Sequence, residues 1–326
     1  MLEVGLNPYG LTYTLGLQGH GTPRVNPKGR GLPGFIDIAT ELGAKTLEIF
    51  EPWLARMTDD ELAALCGRLR RLGMRPVISS GLHMGEIGSC LRSARGLGAT
   101  IIRFALTPVL CGDRNAWGEK WPELVDNVRA RLVDYAPKAE DEGITLVIEN
   151  HQDFTSRELV ELCDEAGPNV GIVFDTGNTF PVAEAPLDFT RVIASRVRHV
   201  HLKDYQVQFT DEGFRLVRCA IGDGAVPFKE MLAILAERHE TLPAVLELGA
   251  LEARHVRLLT PDWWKGYAPK SAEVLAACLQ AARHNHLPED ADYRTPWERG
   301  EDSALEAYEL GMIKKSAANM RALGIM

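Results

Sequence analysis

The sequence predicts an α/β protein, a single (β/α)8 TIM barrel with an extended C-terminal helical tail. Short apolar runs of strand length alternate with longer amphipathic stretches along most of the 326 residues. That alternation is typical of repeated strand–helix units in a parallel sheet. Eight such apolar runs are present, and eight parallel strands are the number that closes a barrel of this type.

Each predicted strand is a short apolar run, most of them rich in β-branched residues and bounded by turn-forming or polar residues. The eight predicted strands are Leu2–Leu6, Thr46–Phe50, Arg75–Ser79, Thr100–Ala105, Thr145–His151, Val170–Asp175, Val197–Lys203 and Ala244–Leu248.

The stretches between the strands carry apolar residues at helical spacing, and several end near a glycine, as helices often do. The seven predicted helices are Gly34–Leu42, Asp59–Leu72, Gly85–Leu97, Glu123–Glu142, Ser156–Ala166, Asp188–Ser195 and Phe228–Glu237. The eighth connection is less regular, with predicted helices at Leu251–Leu259 and Ala272–Ala282 on either side of the segment TPDWWKGYAPK.

Two segments fall outside this rhythm. The Gly- and Pro-containing loop Tyr9–Gly31 follows the first strand, so we expect it to lie over the C-terminal mouth of the barrel as a lid. The tail contains a predicted helix at Ala304–Leu323, which we expect to pack on the barrel or at a subunit interface. The predicted domains are therefore a barrel over residues 1–286 and an extension over residues 287–326.

Composition limits the classes of function. With 45% hydrophobic and 25% charged residues, the chain resembles an ordinary globular protein, and its net charge of -9 argues against nucleic acid as a partner. The six cysteines form no CxxC pair, which predicts reduced thiols rather than a zinc ribbon or a disulfide framework. No secretion signal and no membrane span are evident, so we expect a cytoplasmic protein without a membrane partner.

Four of the apolar runs end in a side chain that can bind a metal. They are LVIEN at Glu149, GIVFD at Asp175, VRHVH at His201 and AVLEL at Glu247. The C-terminal ends of barrel strands meet at one mouth, so these side chains are predicted to converge there. Two Glu, one Asp and one His suit one divalent ion, of which Mn²⁺ is the first choice and Mg²⁺, Co²⁺ and Zn²⁺ are alternatives.

Each of these residues also has a structural explanation when it is considered alone. Asp175 before Thr176 could cap a helix, Glu247 could be a loop residue, and His199 could be a core histidine. Side chains two apart in a strand share a face, so His151 is predicted to point the same way as Glu149. The joint occurrence at four strand ends favours the metal site.

The motifs IENHQDFTS (148–156), VFDTGN (173–178), VHLKD (200–204), IGDGAVPF (221–228) and VLELG (245–249) resemble the xylose isomerase-like barrel superfamily. This superfamily contains sugar isomerases, epimerases and dehydratases as well as endonuclease IV. The resemblance implies that Glu149, Asp175, His201 and Glu247 bind one divalent metal and that His199 supports His201. It further implies that Glu149 and Glu247 move a proton on opposite sides of a substrate through a metal-stabilised enediolate.

Departures from the family patterns narrow this expectation. Related ketose 3-epimerases usually have a His three residues after the metal-bound Asp, whereas Asn178 stands here. They also have a substrate-binding Arg after the HxH strand, and the segment HLKDYQVQF offers no match to it. Further His and Asp ligands of endonuclease IV are also missing. The expected function is a divalent-metal-dependent isomerase or epimerase of a keto-sugar or related polyol. A lyase that dehydrates a keto-inositol or dehydroshikimate, or that cleaves a 3-keto-glycoside or C-glycoside, is the alternative, and a binding subunit without turnover is the third.

Other residues are predicted to contact the substrate. His151 is a candidate general acid or base, with orientation of a metal ligand as its alternative role. Candidate substrate-binding residues are Lys203, Asn178, His83 and Arg103. The expected partner is a small sugar or polyol. We also expect a homo-oligomer, to which an accessory subunit could bind.

Overall fold

The computed structural model describes residues 2–82 and 86–326, and eight parallel strands among them form a closed barrel. Numbered along the chain, the strands are β1 Leu2–Leu6, β2 Thr46–Phe50, β3 Arg75–Gly81, β4 Ile101–Ala105, β5 Thr145–Glu149, β6 Val170–Asp175, β7 Val197–Leu202, β8 Tyr205–Thr210, β9 Gly213–Arg218, β10 Leu242–Leu246 and β11 Arg254–Val256. The barrel order is β1-β2-β3-β4-β5-β6-β7-β10, and β10 pairs with β1 to close it. The predicted (β/α)8 fold is confirmed.

Helices surround the barrel. They are α1 Gly31–Leu42, α2 Glu51–Leu54, α3 Asp59–Leu72, α4 Ile87–Leu97, α5 Lys120–Glu140, α6 Ser156–Ala166, α7 Pro186–Ile193, α8 Phe228–Ala236, α9 Ala272–Ala282 and α10 Leu305–Ala322. Capping boxes begin α3 and α6, where Thr58 pairs with Glu61 and Thr155 pairs with Glu158. None of these helices, within the ranges that the structure describes, is long and apolar enough to cross a membrane.

A second, small sheet corrects one sequence prediction. The segment Leu251–Leu259 was predicted to be a helix, but Arg254–Val256 is strand β11, which pairs antiparallel with β9. β9 in turn forms a hairpin with β8, so the three-stranded order is β11-β9-β8. The helix prediction was wrong because the apolar residues Val256 and Leu258 are buried at strand spacing, and pairing with β9 satisfies the backbone.

The C-terminal helix α10 packs against the barrel between α1 and α8. Its residues Leu310 and Ile313 face Ile38 and Leu42 of α1, and Leu323 just after it lies near Leu232 of α8. Ile313, Ala317 and Met320 are buried in the main core. The helix that covers the last barrel strand therefore comes from the tail and not from the residues that directly follow that strand.

The loop between β1 and α1 is attached to this tail. Glu309 of α10 is buried and accepts hydrogen bonds from the backbone N–H groups of Tyr13 and Thr14, at 3.1 and 2.8 Å, and from the Thr14 hydroxyl at 2.7 Å. Arg24 forms an ion pair with Asp302 at 2.5 Å. These contacts hold the loop over the mouth of the barrel.

The barrel interior is layered. Val77, Ile101, Val147 and Val173 from four adjacent strands form a separate buried apolar cluster. Because side chains alternate along a strand, the residues two positions further on point to the same side and lie one layer closer to the C-terminal mouth. Those residues are Ser79, Arg103, Glu149 and Asp175. A layer of apolar side chains thus lies directly below a layer of polar side chains at the mouth of the barrel.

Candidate metal centre

Four side chains at the C-terminal mouth of the barrel, two of them from this polar layer, come together as the sequence predicts. Ligand atoms of Glu149, Asp175, His201 and Glu247 all lie within 4.8 Å of one another, and all four residues are buried. His201 Nδ1 is 2.9 Å from Glu247 Oε2 and 3.4 Å from Glu149 Oε1. Three oxygen ligands and one imidazole at this separation match the ligand set of a hard or borderline divalent cation.

Unpaired atoms show that this set fits a metal ion. Glu149 Oε1, His201 Nδ1 and Glu247 Oε2 are buried, and apart from their contacts with one another they have no hydrogen-bond partner among the described residues. Leaving such atoms unpaired in a protein interior is costly, and the three face one another. A divalent cation held by Glu149, Asp175, His201 and Glu247 would satisfy all three.

Glu48 on β2 orients His201, the candidate histidine ligand. Its Oε2 accepts a hydrogen bond from His201 Nε2 at 2.7 Å and lies 2.9 Å from His199 Nε2. Its Oε1 accepts from the Asn7 amide at 2.9 Å. His201 therefore presents Nδ1 to the centre while Nε2–H donates to a carboxylate, an arrangement common around protein-bound metals.

Sequence reasoning missed Glu48. The residue is buried in the strand TLEIF, where it is flanked by apolar residues. A lone acid in a barrel strand is itself a signal, because burying an unpaired carboxylate is costly. His199 has the supporting place that the family resemblance implies, with its Nδ1 also 2.9 Å from the Pro243 carbonyl oxygen.

Buried cations balance part of the negative charge. Lys203 Nζ lies 2.5 Å from Asp175 Oδ2 and 2.6 Å from Glu247 Oε1, and Arg103 forms an ion pair with Glu149 Oε2. Glu48 and the three carboxylates of the centre exceed these two cations by two negative charges. A divalent ion would neutralise that excess when both histidines are neutral.

The electrostatics shift the pKa of His201 in the metal-free protein. Burial opposes protonation, but the carboxylates of Glu48 and Glu247 outweigh it and raise the pKa of His201 from 6.5 to about 9. Although burial also opposes ionisation of Glu247, Lys203 and His201 hold the pKa of that carboxyl well below its usual range. In the absence of a metal ion, a proton on His201 supplies part of the positive charge that the ion would provide.

Asp175 is held by the turn that follows β6. Its Oδ1 accepts from the backbone N–H groups of Gly177 and Asn178, at 3.0 and 3.2 Å. The side-chain amide of Asn178 donates to Asp175 Oδ2 at 2.8 Å. Asn178 is buried and does not line the cavity above the centre, so its contact is with a candidate ligand. The substrate-binding role of Asn178 stays a prediction.

Asp204, next to Lys203, organises the IGDGAVPF segment. Its carboxylate accepts hydrogen bonds from the backbone N–H groups of Tyr205, Gly222, Gly224 and Val226. A side chain at position 224 would bring Cβ to 2.3 Å from Asp204 Oδ1, which explains the glycine there. This segment is therefore a structural turn rather than a phosphate-binding loop.

A cavity of about 390 Å³ opens above the centre, a volume typical of small-ligand sites. Glu247, Lys203, Arg103 and His151 are among its lining residues, whereas Glu149 is fully buried beneath. His151 Nδ1 is buried without a partner among the described residues. Burial, with Lys203 and Arg103 nearby, lowers the pKa of His151 to about 3, so its imidazole is neutral near pH 7.

The structure brings most of the predicted site residues together. Lys203, Arg103 and His151 meet the cavity beside Glu247, as their predicted substrate contacts require. His83 lies outside the described residues. Arg254 on β11 also lines the cavity, and sequence reasoning missed it because that segment was assigned to a helix.

Comparison with known proteins places the chain in a family. The model of the xylose isomerase-like TIM barrel family matches residues 36–278. The chain therefore belongs to this family, and its relatives include proteins named inosose dehydratase. A D-psicose 3-epimerase shares the fold, with a TM-score of 0.51 and 18% identity over 77% of this chain and 90% of that one.

Individual relatives are distant. The chain is 29% identical over 238 residues to the uncharacterised protein YihM of Escherichia coli K12, and the aligned region covers 68% of each chain. It is 30% identical over 133 residues to inosose dehydratase 2 of Bacillus cereus, covering 36% of this chain and less than half, 43%, of that protein. A xylose isomerase-like barrel protein from Mycobacterium smegmatis, solved in complex with magnesium, shares the fold, with a TM-score of 0.53 and 18% identity over 78% of this chain and 93% of that one.

Proposed function

We propose that this protein is a divalent-metal-dependent isomerase or epimerase that acts on a keto-sugar or a related polyol, with Mn²⁺ as its preferred ion. The observation that carries the proposal is the group of three unpaired ligand atoms, on Glu149, His201 and Glu247, beneath a sugar-sized cavity. Mg²⁺, Co²⁺ and Zn²⁺ are the alternative ions, since the same ligands accept them.

The two glutamates have different surroundings, which supports different tasks for them. A bound divalent cation would supply positive charge that stabilises negative charge developing on a substrate carbonyl oxygen. Glu247 reaches the cavity and is kept ionised by Lys203, so it is the carboxylate placed to take a proton from the carbon next to that carbonyl. Glu149, at the end of β5, is held by Arg103 of β4 and would exchange the proton on the other face of the substrate.

His151 supplies a further polar group in the same cavity. Its neutral imidazole can accept a proton from a substrate hydroxyl or donate a hydrogen bond to it. Burial and the positive charges of Lys203 and Arg103 all disfavour a protonated His151, so the imidazole stays neutral. In an isomerase, His151 would contact the hydroxyl whose proton must move.

A lyase on the same scaffold is the second candidate function. β-Elimination requires one group to take a proton and another to assist the departing group, and His151 is separate from the ligands of the proposed metal. The likeness to inosose dehydratase 2 favours this alternative in its keto-inositol dehydratase form. Dehydroshikimate and 3-keto-glycosides would be handled by the same pair of groups.

The test compares the two outcomes directly. The Mn²⁺-loaded protein is incubated in D₂O with ketoses, keto-inositols, dehydroshikimate and 3-keto-glycosides, and the products are followed by NMR and mass spectrometry. Deuterium in intact or epimerised substrate supports the isomerase, whereas a dehydrated or deglycosylated product supports the lyase.

Metal binding is tested before the product assay, by measuring the metal content of the purified protein. Elemental analysis of wild-type protein is compared with Glu247→Gln and with the surface control Glu237→Gln. We expect about one divalent ion per wild-type chain and a loss of both metal affinity and activity only in Glu247→Gln. Full metal content and activity in that variant would remove Glu247 from the centre.

A further inference from the structure

Arg254 is a cavity residue that the metal centre does not use. It begins β11, where its backbone pairs with Leu216 of β9, and it forms part of the wall of the cavity that also exposes Glu247 and His151. The small antiparallel sheet therefore holds this guanidinium at the mouth, on an element separate from the eight barrel strands.

The other two arginines near the mouth are paired. Arg103 binds Glu149, and Arg218 donates to the backbone carbonyls of Gly249 and Gly10, at 2.8 and 2.7 Å. Over residues 2–82 and 86–326, the side chain of Arg254 has neither an ion pair nor a hydrogen bond, and its Nε is buried. A buried donor without a partner is unfavourable unless a ligand supplies an acceptor.

The nearest acidic residue in the chain does not fill this role. Glu252, two residues before Arg254, is exposed at the rim and accepts a hydrogen bond from Trp297 Nε1 at 2.8 Å. Lys203 and Arg103 balance two of the four carboxylates around the centre, and a bound divalent ion would balance the other two. Glu252 lines the same cavity, but neither it nor any other described carboxylate forms an ion pair with the Arg254 guanidinium.

We propose that Arg254 binds an anionic group of the substrate, so that the substrate is a keto-sugar carrying a carboxylate or a phosphate rather than a neutral ketose. That the substrate is a keto-sugar rests on the proposed function. That it carries an anionic group rests on Arg254 alone. A planar guanidinium binds either group through two parallel N–H···O bonds. Since Arg254 pairs with none of the centre's carboxylates, its guanidinium is available to an anionic group of a ligand in the cavity.

Three non-reacting polyols test the anion directly. D-Gluconate, D-sorbitol 6-phosphate and D-sorbitol are titrated by calorimetry into Mn²⁺-loaded wild type, Arg254→Gln, Arg254→Lys and the control Arg257→Gln. Arg257 is an exposed arginine three residues further on, paired with Glu212 at 3.0 Å. We expect gluconate or sorbitol 6-phosphate to bind more tightly than sorbitol, and the preferred one to identify carboxylate or phosphate.

The expected effect of Arg254→Gln is an affinity for the preferred anion about 10- to 100-fold weaker, with sorbitol affinity unchanged. Arg254→Lys should keep part of the affinity, since it keeps the charge but loses the two-pronged geometry. Arg257→Gln should bind like wild type. Unchanged anion affinity in Arg254→Gln, or equal binding of sorbitol in wild type, would overturn the proposal.

Mn²⁺ binding separates this proposal from the proposed function. If the variants bind Mn²⁺ normally but anion affinity does not depend on Arg254, the anion site is wrong and the metal centre stands. If wild type binds no divalent ion, yet Arg254→Gln binds the anion more weakly than wild type does, the metal-dependent function is wrong and the anion site stands. Normal Mn²⁺ affinity in Arg254→Gln also shows that the variant is folded.

Discussion

The Nε2 atom of His201 lies 2.7 Å from the Oε2 atom of Glu48, and this contact decides which nitrogen of the histidine faces the candidate metal centre. β2, which carries Glu48, is far from β7 in sequence, and the barrel brings the two side chains together across its interior. The carboxylate holds the Nε2–H tautomer in place and leaves Nδ1 as a ligand.

Replacing Glu48 should weaken metal binding without removing a ligand. In Glu48→Gln the amide still fits the space, but it attracts the Nε2–H group of His201 less strongly than the carboxylate, so we expect Mn²⁺ affinity to fall about 10- to 100-fold. Calorimetric titration measures this, with the half-exposed Glu3→Gln at the other end of the barrel as the control. Equal affinity in the two variants would show that Glu48 does not orient His201.

Metal affinity should depend on pH through His201. Its pKa of about 9 in the metal-free protein means that an ion must displace a proton from the imidazole at neutral pH. Below pH 9, affinity should therefore fall about tenfold for each unit of decreasing pH, as long as no other ligand titrates. Titrations in buffers of different ionisation enthalpy should show close to one proton released per ion at pH 7, and no release would contradict this.

Metal removal should make stability sensitive to alkaline pH. A proton on His201 stabilises the folded metal-free chain below the ordinary pKa of 6.5, and this contribution is lost as pH rises through about 9. Denaturant unfolding of the chelator-treated protein should thus show decreasing stability between pH 6.5 and 9. The Mn²⁺-loaded protein is the comparison, and an equal decrease with metal bound would assign the effect to another group.

His151→Ala should keep its metal and lose turnover. General acid–base groups typically contribute about 10²- to 10⁴-fold, and we expect a loss of kcat in that range with unchanged Mn²⁺ content. The exposed His20→Ala variant is the matched control. Because the pKa of His151 is lowered to about 3, the wild-type rate should show no decrease from protonation of His151 between pH 5 and 8. Full activity of His151→Ala would dismiss its catalytic role.

Glu309→Gln should loosen the loop between β1 and α1. The amide can accept at only one of the two oxygen positions that now receive the Tyr13 and Thr14 donors. We expect a loss of about 1 to 3 kcal/mol in the free energy of unfolding, with faster protease cleavage within residues 12–30. Glu306→Gln, which removes only the exposed partner of Arg30, should change both measurements much less. Equal behaviour of the two variants would contradict the attachment.

Much of the site follows from strand periodicity. Glu149, Asp175, His201 and Glu247 are each local features of an apolar run, and parallel strands carry such end residues to one mouth. Glu48 and Arg254 could not be placed in this way. Glu48 acts through a partner that only closure of the barrel provides, and Arg254 depends on a strand whose pairing with β9 is a long-range contact.

The sequence by itself determined the barrel, its eight strands and the four ligand candidates, because local patterns of apolar and polar residues encode strands, helices and the faces they bury. Tertiary structure alone decided the tautomer of His201, the pairing of Lys203 with both Asp175 and Glu247, and the covering of the last barrel strand by α10. These features are contacts between residues distant in sequence. Their energies depend on distance and burial, which exist only in the folded chain.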